Sequence, residues 1–416
     1  MDYQIFPPEE LIDVSVQLPL SKSISNRALI INALTPGADR LERVAVCDDT
    51  DVMVSALASQ AVEVNVGAAG TAMRFLTAYF ACCDGRDTVL DGTERMRHRP
   101  IGVLVDALRQ LGADIQYMEE EGFPPLKIHG RRLSGGTLRV PATISSQFIS
   151  ALMMIGPTMR EGLRIELQGE AVSRPYITMT AGMMEQAGAQ CEVDFRENLI
   201  TVGATGYSAP LPPVEADWSA ASYWYEIEAL SSGFITLPGL ELPSLQGDSR
   251  CRVFFGKLGV STEEADDGNG LQLLANPDQD PKMSLDLSDT PDIAQTIAVT
   301  CTMLGIPFTL TGLESLRIKE TDRISALYNE LLKIGTVIST DVPGTISWDG
   351  TRRPITEMPA FDTYEDHRMA MAFAPVALYI PGICIRNAQV VSKSYPGFWE
   401  NLICAGFNLI EVKDAD

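Results

Sequence analysis

One pattern recurs along this chain: a helix-like segment, a turn of small residues, and then a strand-like segment. The clearest copy is Ile101–Gln110 followed by Leu111-Gly112-Ala113-Asp114-Ile115. The turn glycines are Gly112, Gly188, Gly259, Gly335 and Gly406, which by subtraction lie 76, 71, 76 and 71 residues apart. A glycine just after the last helical residue is typical of a C-terminal cap, where a positive φ is needed. The sequence therefore predicts an α/β chain built from a unit repeated about every seventy residues.

An earlier copy of the unit is predicted at the start of the chain and is shortened. It covers Val52–Ser59 and ends near Gln60, only 52 residues before Gly112. Six units divide naturally into two groups of three, and 416 residues exceed what one core usually holds. The densest proline run, 209–214, lies near the midpoint and indicates the domain boundary. The alternative, a proline-rich surface loop within one domain, would require an unusually large core.

Composition narrows the classes of partner. The formal net charge of −23 argues against nucleic acid and anionic membranes, although a local group of cations could still bind a small anionic substrate. The eight cysteines form no C-x-x-C pair and there are only three histidines, which favours reduced thiols in a cytoplasm over a zinc site or disulfide framework. We see no signal peptide, and the apolar stretches are too interrupted to be membrane spans.

Cations and small polar residues gather repeatedly at predicted helix entrances in the first half of the chain. In the run 18–27, Lys22 and Arg27 alternate with hydroxyl residues ahead of an apolar segment. Free N–H groups, a positive dipole end and a guanidinium fork suit a phosphate. A plain serine N-cap is the alternative. Further segments of this kind are 67–74, 94–100, 145–147 and 173–176.

The second half carries denser charge. The run 319–323 (KETDR) places two cations and two carboxylates in five residues ahead of a helix, and 366–368 (DHR) and 289–292 (DTPD) precede others. A charge run is usually a solvated face. Basic residues are disfavoured at helix N-termini, so their repetition there indicates an anion that compensates them. The neighbouring carboxylates are candidates for proton transfer.

Nine motifs in order resemble the 5-enolpyruvylshikimate-3-phosphate synthase family over about residues 15–400. They are SKSISNRA (21–28), GTAMR (70–74), RPIG (99–102), SSQF (145–148), SRPY (173–176), PDIA (291–294), KETDR (319–323), DHRMAM (366–371) and KSYPGF (393–398). The resemblance implies a two-domain enolpyruvyltransferase fold, an inside-out α/β barrel in which each domain holds three βαβαββ-type units. It implies an active site in the interdomain cleft and domains at 21–214 and at 1–20 plus 215–416.

The resemblance also implies the activity. The enolpyruvyl group of phosphoenolpyruvate would be transferred to the 5-hydroxyl of shikimate 3-phosphate, with release of phosphate, in the shikimate pathway that leads to chorismate and aromatic amino acids. No metal or organic cofactor is implied. The partners would be these two small molecules, without nucleic acid or membrane, and we expect a cytoplasmic monomer.

Site residues follow by matching positions to the family motifs. Those expected to hold shikimate 3-phosphate are Lys22, Ser23, Arg27, Ser145, Ser146, Gln147, Ser173, Tyr176, Asp292, Ser315 and Lys319. Those expected to hold phosphoenolpyruvate are Lys22, Gly70, Arg99, Gln147, Arg323, Arg368 and Lys393. Asp292 would deprotonate the attacking hydroxyl, Glu320 would move a proton at the methylene carbon, and Lys22 and Lys319 would assist catalysis.

The chain departs from the family pattern at several places. Leu20 stands where glycine is usual, Phe75 where proline is usual, and Ser315 where asparagine is frequent. The shortened first unit lacks a strand hairpin before Gly70. These departures bear on the response to glyphosate and the affinity for phosphoenolpyruvate.

Two alternatives from the same residues are open. UDP-N-acetylglucosamine enolpyruvyltransferase shares the fold and the donor, but that family carries a loop cysteine, and the segment 94–100 has none. A noncatalytic anion-binding scaffold would not need Asp292 and Glu320. A third interpretation, an RNA-end-modifying repeat protein of related fold, is disfavoured because the chain is acidic and lacks a basic stripe.

Overall fold

The structure, a computed structural model, describes residues 1–142, 145–169, 171–266 and 268–412. The chain divides into two compact units. The N-terminal unit is Leu20–Val214, and the C-terminal unit combines Met1–Pro19 with the residues from Glu215 onward.

The strands are short. They are β1 (Asp2–Phe6), β2 (Asp13–Ser15), β3 (Glu63–Asn65), β4 (Asp87–Asp91), β5 (Asp114–Tyr117), β6 (Leu126–His129), β7 (Gly136–Pro141), β8 (Leu163–Gln168), β9 (Cys191–Asp194), β10 (Leu199–Val202), β11 (Phe234–Leu237), β12 (Leu258–Glu264), β13 (Leu271–Gln279), β14 (Met283–Asp286), β15 (Phe308–Thr311), β16 (Ile346–Trp348), β17 (Ala360–Phe361), β18 (Ile383–Ile385) and β19 (Asn408–Val412).

The helices alternate with them. They are α1 (Lys22–Leu34), α2 (Asp48–Ala58), α3 (Gly70–Cys82), α4 (Glu94–Arg97), α5 (Gly102–Gln110), α6 (Ser146–Ile155), α7 (Arg174–Gln186), α8 (Trp218–Ser231), α9 (Cys251–Gly256), α10 (Ala294–Leu304), α11 (Arg323–Lys333), α12 (His367–Phe373) and α13 (Phe398–Cys404). Six 3₁₀ segments lie among the described residues, including Pro291–Ile293, Glu314–Ile318 and Ala388–Lys393.

The sheets repeat one plan. In the sheet β7-β8-β10-β9, β7 and β8 are parallel and the remaining pairs are antiparallel. The sheet β3-β4-β6-β5 has the same arrangement. In chain order the unit reads β7, α6, β8, α7, β9, β10, so the βαβαββ-type repeat predicted for the fold is confirmed.

The N-terminal strands complete sheets of the C-terminal unit. Strand β2 pairs in parallel with β11, at the position that β7 holds in its sheet. Strand β1 runs antiparallel to both β18 and β19, with Ile5 opposite Ile383 and Leu409. The first repeat, which holds α1 and α2, contributes no sheet of its own among the described residues before β3 joins the next one.

Four of the five repeated glycines directly follow the C-terminal cap residue of a helix, as the sequence predicts: Gly112, Gly188, Gly335 and Gly406. Gly259 instead lies inside β12, at a shift in its register with β13. All five have positive φ. Their φ values are +100° at Gly112, +87° at Gly188, +92° at Gly259, +79° at Gly335 and +92° at Gly406. At Gly335 a Cβ atom would also collide with the carbonyl oxygen of Arg353, so both dihedral preference and space require glycine there.

The helices supply most of the core, and the strands cover it. In α10 every residue from Ala294 to Met303 is buried, whereas β7 and β8 expose alternate residues. Helices that are buried all round and strands that face water on one side match the predicted arrangement with helices inside. Among the described residues, no helix combines the length and the apolar character needed to span a bilayer.

Helix α8 places two carboxyl groups in this core. Glu226 is fully buried and Glu228 is 1% exposed. Burial raises the pKa of Glu226 well above its usual range. It raises the pKa of Glu228 to about 7, against a smaller opposing effect of the backbone N–H of Gly233. Both side chains are therefore favoured in their neutral form inside the folded unit.

We predict that Glu228→Gln makes the protein more stable at pH 8 but not at pH 4. The folded-state pKa lies above the unfolded value of about 4.3, so wild-type stability falls as pH rises from about 4.5 to 7. Glutamine mimics the protonated form and removes that loss, on the order of 1–3 kcal/mol. Chemical denaturation at both pH values measures the free energy of unfolding of the wild type and of the variant. The exposed variant Glu264→Gln is the control, and an equal effect of both substitutions would contradict the prediction.

Candidate functional site

Lys22 stands at the entrance of α1 in the N-terminal unit. The Ser21 hydroxyl caps the helix by accepting from the Ile24 amide at 3.4 Å. The Lys22 Nζ lies 3.1 Å from the Asp49 Oδ2, and both side chains are largely buried. Asp49 is not among the predicted site residues. The acidic first turn of α2, which contains Asp48, Asp49 and Asp51, is the sequence signal that could have indicated it.

Arg27 lies one helical turn further along α1 and is only 2% exposed. Its Nε donates to the Thr180 hydroxyl at 2.7 Å, its Nη1 to the Ser23 carbonyl at 2.9 Å, and its Nη2 to the Ser150 hydroxyl at 3.2 Å. All three acceptors are neutral oxygens. The positive charge of Arg27 is therefore hydrogen-bonded, but none of these three acceptors is a carboxylate that would neutralise it. A guanidinium fixed in this way is suited to binding an anion.

Two aromatic rings flank the same guanidinium. The Arg27 Cζ is 5.4 Å from the ring centroid of Phe75 and 5.7 Å from that of Tyr176. Burial lowers the pKa of Arg27 to about 10, so it is still a cation at neutral pH. Phe75, which replaces the usual proline, therefore contacts a predicted substrate-binding residue through its ring face.

Gly70 begins α3, and two arginines crowd its α-carbon. A Cβ atom at position 70 would lie 2.5 Å from the Arg99 Nη1 and 3.1 Å from the Arg74 Nη1. Arg74 is buried, donates to the Gly70 carbonyl at 3.0 Å, and lies 5.9 Å from the Phe148 ring. Arg74 is a second residue that was not predicted, although it stands inside the quoted GTAMR motif.

The serine-rich segments also lie at helix entrances. Ser145 caps α6 by accepting from the Gln147 amide at 3.3 Å, and the Gln147 side chain donates to the Thr71 hydroxyl at 3.1 Å. Ser173 precedes α7 with a φ of +54° and gives the helix no side-chain cap. A left-handed non-glycine residue is uncommon, and here it frees the hydroxyl from capping.

Asp292 is the centre of the candidate site in the C-terminal unit. It lies in the 3₁₀ segment before α10. Its Oδ1 is 2.9 Å from the Arg323 Nη1 and 3.4 Å from the Lys319 Nζ, and its Oδ2 is 3.2 Å from the Arg368 Nη2. The structure therefore brings three predicted cations together around the carboxylate of a fourth predicted residue.

Arg323 is the first residue of α11 and contacts two further carboxylates besides that of Asp292. Its Nη2 is 2.8 Å from the Glu320 Oε2 and its Nε is 2.6 Å from the Asp366 Oδ2. Arg323 is 1% exposed and Asp366 is fully buried. Burial opposes the charge, but the attraction of Asp366, Glu320 and Asp292 outweighs it and raises the pKa of Arg323 above its usual range. Asp366 is not among the residues assigned to the site from the family motifs, although it stands in the segment 366–368 whose carboxylates were candidates for proton transfer.

Arg368 and Lys393 are fixed by the segment that contains Asp366. The Asp366 Oδ1 caps α12 by accepting from the Arg368 amide at 2.9 Å. The Lys393 Nζ, at the end of Ala388–Lys393, donates to the Glu365 carbonyl at 2.9 Å. Ser315 is half-buried in Glu314–Ile318, and within the described parts of the chain its side chain shares no hydrogen bond with these residues.

The two clusters differ in chemistry. The N-terminal unit presents cations, hydroxyls and an amide, which bind phosphate and carboxylate groups. The C-terminal unit presents cations interleaved with carboxylates, which can also exchange protons with a substrate. No group of three or more His, Cys, Asp or Glu side chains in the described residues is arranged to hold a metal ion.

Comparison with known proteins agrees with this chemistry. A family model for EPSP synthase (3-phosphoshikimate 1-carboxyvinyltransferase) matches residues 55–402. A 3-phosphoshikimate 1-carboxyvinyltransferase from Bacteroides fragilis (strain YCH46) is 49% identical over 410 residues, which cover 98% of this chain and 99% of that protein. One from Vibrio cholerae serotype O1 (strain M66-2) is 37% identical over 430 residues, covering 96% and 98%.

Solved structures show the same fold. An EPSP synthase from Acinetobacter baumannii aligns with a TM-score of 0.77 at 21% identity, covering 99% of this chain and 100% of that one. A second structure of the enzyme from that organism gives a TM-score of 0.75 at 20% identity. With the family model matching most of its length, this chain belongs to the EPSP synthase family.

Proposed function

We propose that this protein transfers the enolpyruvyl group of phosphoenolpyruvate to the 5-hydroxyl of shikimate 3-phosphate, releasing phosphate, in the shikimate pathway. Family membership supports the reaction. The observation that carries the assignment to particular residues is the cluster around Asp292, where Lys319, Arg323 and Arg368 all contact one carboxylate. The second carboxylate, Glu320, is bound to the same Arg323.

Both substrates are polyanions, and the proposal assigns them to the cations and polar groups described above. Shikimate 3-phosphate would be held by Lys22, Ser23, Arg27, Ser145, Ser146, Gln147, Ser173, Tyr176, Asp292, Ser315 and Lys319. Phosphoenolpyruvate would be held by Lys22, Gly70, Arg99, Gln147, Arg323, Arg368 and Lys393. The left-handed backbone at Ser173 and the ring-flanked Arg27 support the first set. The arginine beside Gly70 supports the second.

The chemistry needs two proton movements. In the addition, the 5-hydroxyl oxygen bonds to the central carbon of phosphoenolpyruvate, Asp292 takes the hydroxyl proton, and Glu320 protonates the methylene carbon. In the elimination, Glu320 takes a proton back from the methyl group, the carbon–carbon double bond re-forms and the carbon–oxygen bond to phosphate breaks. The proton held by Asp292 passes to the departing phosphate, which returns both carboxyl groups to their starting forms. Lys22 and Lys319 stabilise the developing negative charge.

Asp292 and Glu320 are held differently enough to divide this work. Asp292 contacts three cations and its side chain is 15% exposed, whereas that of Glu320 is 26% exposed. The carboxylate with three cationic contacts is the one assigned to the attacking hydroxyl, and the more exposed carboxylate is the one assigned to the methylene carbon. Their shared contact, Arg323, fixes the two carboxylates relative to each other.

The proposal extends to the setting of the enzyme. We infer a cytoplasmic monomer with domains at 21–214 and at 1–20 plus 215–416. The free cysteines, several of them buried, and the net charge of −23 support a reducing compartment and small-molecule partners rather than nucleic acid or membrane.

The direct test is a coupled assay of phosphate release. Phosphoenolpyruvate is supplied alone, with shikimate 3-phosphate, or with UDP-N-acetylglucosamine. The proposal expects phosphate only with shikimate 3-phosphate. Release with UDP-N-acetylglucosamine would favour the related transferase, and no release with either acceptor would favour an anion-binding scaffold.

We predict that Asp292→Ala and Glu320→Ala fold normally but lose turnover, each by about 10²-fold or more, because each removes a proton-transfer group. Both variants should fold, because Arg323 still pairs with Asp366 and with one of the two other carboxylates in each of them. Phosphate release measures turnover, and circular dichroism with thermal unfolding measures folding.

Glu314→Ala, at an exposed position in the 3₁₀ segment before Lys319, is the matched control. It should retain wild-type turnover. Wild-type turnover in Asp292→Ala or in Glu320→Ala would remove that residue from the proposed mechanism.

Gly70→Ala should weaken phosphoenolpyruvate binding while leaving the fold intact. The added methyl group would lie 2.5 Å from the Arg99 Nη1, so this flexible guanidinium must move. We expect KM for phosphoenolpyruvate to rise about tenfold, or ~1.4 kcal/mol. Gly256→Ala, where a Cβ atom would meet nothing within 4 Å, is the control. Equal KM values for both variants and the wild type would contradict a role for this position.

A further inference from the structure

The turn before α12 is held in a conformation that its residues do not favour. Tyr364 has a φ of +54° and Glu365 a φ of +56°. Two consecutive left-handed residues with bulky side chains are rare, because the Cβ atom crowds the backbone in this region. Such a turn persists only where its surroundings impose it. The contacts on either side of the turn therefore identify what imposes it and what depends on it.

On one side the turn is tied to α11 through Glu330. The Tyr364 hydroxyl donates to the Glu330 Oε1 at 2.7 Å, and the Asp362 amide donates to the Glu330 Oε2 at 2.9 Å. Glu330 is fully buried. Burial, followed by the hydrogen bond to Glu330, raises the pKa of Tyr364 to about 12, so its hydroxyl remains a donor at neutral pH.

Glu330 is itself fixed by a cation. The Lys333 Nζ lies 2.7 Å from the Glu330 Oε2, 2.8 Å from the Asp362 Oδ2 and 2.8 Å from the Ala360 carbonyl. The buried carboxylate is therefore paired and cannot shift toward another partner without leaving Lys333. This gives the Tyr364 hydroxyl a rigid acceptor.

On the other side the turn leads directly into the candidate site. The Asp366 amide donates to the Thr363 carbonyl at 2.8 Å, which closes the turn. The Asp366 carboxylate binds Arg323 and caps the amide of Arg368, and the Glu365 carbonyl accepts from Lys393. All three of these cations belong to the set assigned above to phosphoenolpyruvate.

We propose that Tyr364 and Glu330 are positioning residues for the reaction: their hydrogen bond holds the turn Thr363–Asp366 in its left-handed form, and the turn sets Arg323, Arg368 and Lys393 for phosphoenolpyruvate. Neither residue is assigned a contact with substrate. The kinetic part of this inference rests on the proposed function, whereas its structural part does not.

The first test is Tyr364→Phe, which removes one hydroxyl and keeps the ring. KM for phosphoenolpyruvate should rise about tenfold, while KM for shikimate 3-phosphate changes less than threefold. The matched control is Tyr328→Phe, because Tyr328 lies on the same helix as Glu330 and is 37% exposed. An equal rise in both KM values, or no difference from Tyr328→Phe, would overturn the proposal.

A second measurement tests the structural part of the proposal and does not depend on enzyme activity. Hydrogen–deuterium exchange of the substrate-free protein should show faster exchange of the Asp366 and Arg368 amides in Tyr364→Phe than in Tyr328→Phe, at equal thermal stability. Unchanged exchange would overturn the proposal whatever the kinetics show. A wild-type protein that releases no phosphate would instead overturn the proposed function, and the exchange result would still decide whether the hydroxyl holds the turn.

A second-site variant tests whether the backbone conformation is what the hydroxyl protects. Asparagine tolerates the left-handed region better than glutamate does. Adding Glu365→Asn to Tyr364→Phe should therefore restore slow exchange and recover most of the lost affinity for phosphoenolpyruvate. No recovery of either would show that the hydroxyl acts in some other way.

Discussion

The pairing of Arg323 with three carboxylates is the interaction on which the candidate site depends. A guanidinium removed from water is costly unless its N–H groups are bonded to anions or to other acceptors. Here Asp366, Asp292 and Glu320 supply the anions, and the two more exposed carboxylates are the ones assigned to proton transfer. Removing one side of a buried pair typically costs about 3–5 kcal/mol, which applies here to the fully buried Asp366. Arg323 keeps two carboxylates when Asp292 or Glu320 is removed, so those two contacts orient the chemistry more than they hold the fold.

The repeat explains why such contacts can form at all. The two helices of a βαβαββ-type unit follow parallel strands and therefore begin at the same end of the sheet. This places the charged and hydroxyl residues of neighbouring helix entrances side by side. In the C-terminal unit, residues at or beside the starts of α10, α11 and α12 meet around Asp292 and Arg323. A buried apolar helix fixes the position of its first turn closely, which is what preorganised charges require.

The sequence was informative where the constraint is local. Glycine after a helical segment predicted four helix-ending turns with positive φ, at Gly112, Gly188, Gly335 and Gly406, and the motif KETDR together with DHR predicted which residues would gather. It was uninformative about long-range pairs. Arg323 meets Asp366 43 positions away, and Arg27 meets Thr180 153 positions away. Nothing in the spacing of such residues shows which of several nearby carboxylates or hydroxyls will face them. Asp49 was missed for that reason, and the charged segment 366–368 was recognised without any sign that Asp366 would pair with Arg323. The left-handed turn at Tyr364 was missed because tyrosine and glutamate seldom adopt it.

We propose that Asp292 works through its fixed contact with Arg323, and a double-mutant cycle with Asp292→Asn and Arg323→Lys tests this coupling most directly. The readout is kcat/KM for both substrates. If the two residues act as one unit, the double variant loses little more activity than the worse single variant. Losses that multiply, as for independent sites, would contradict the account.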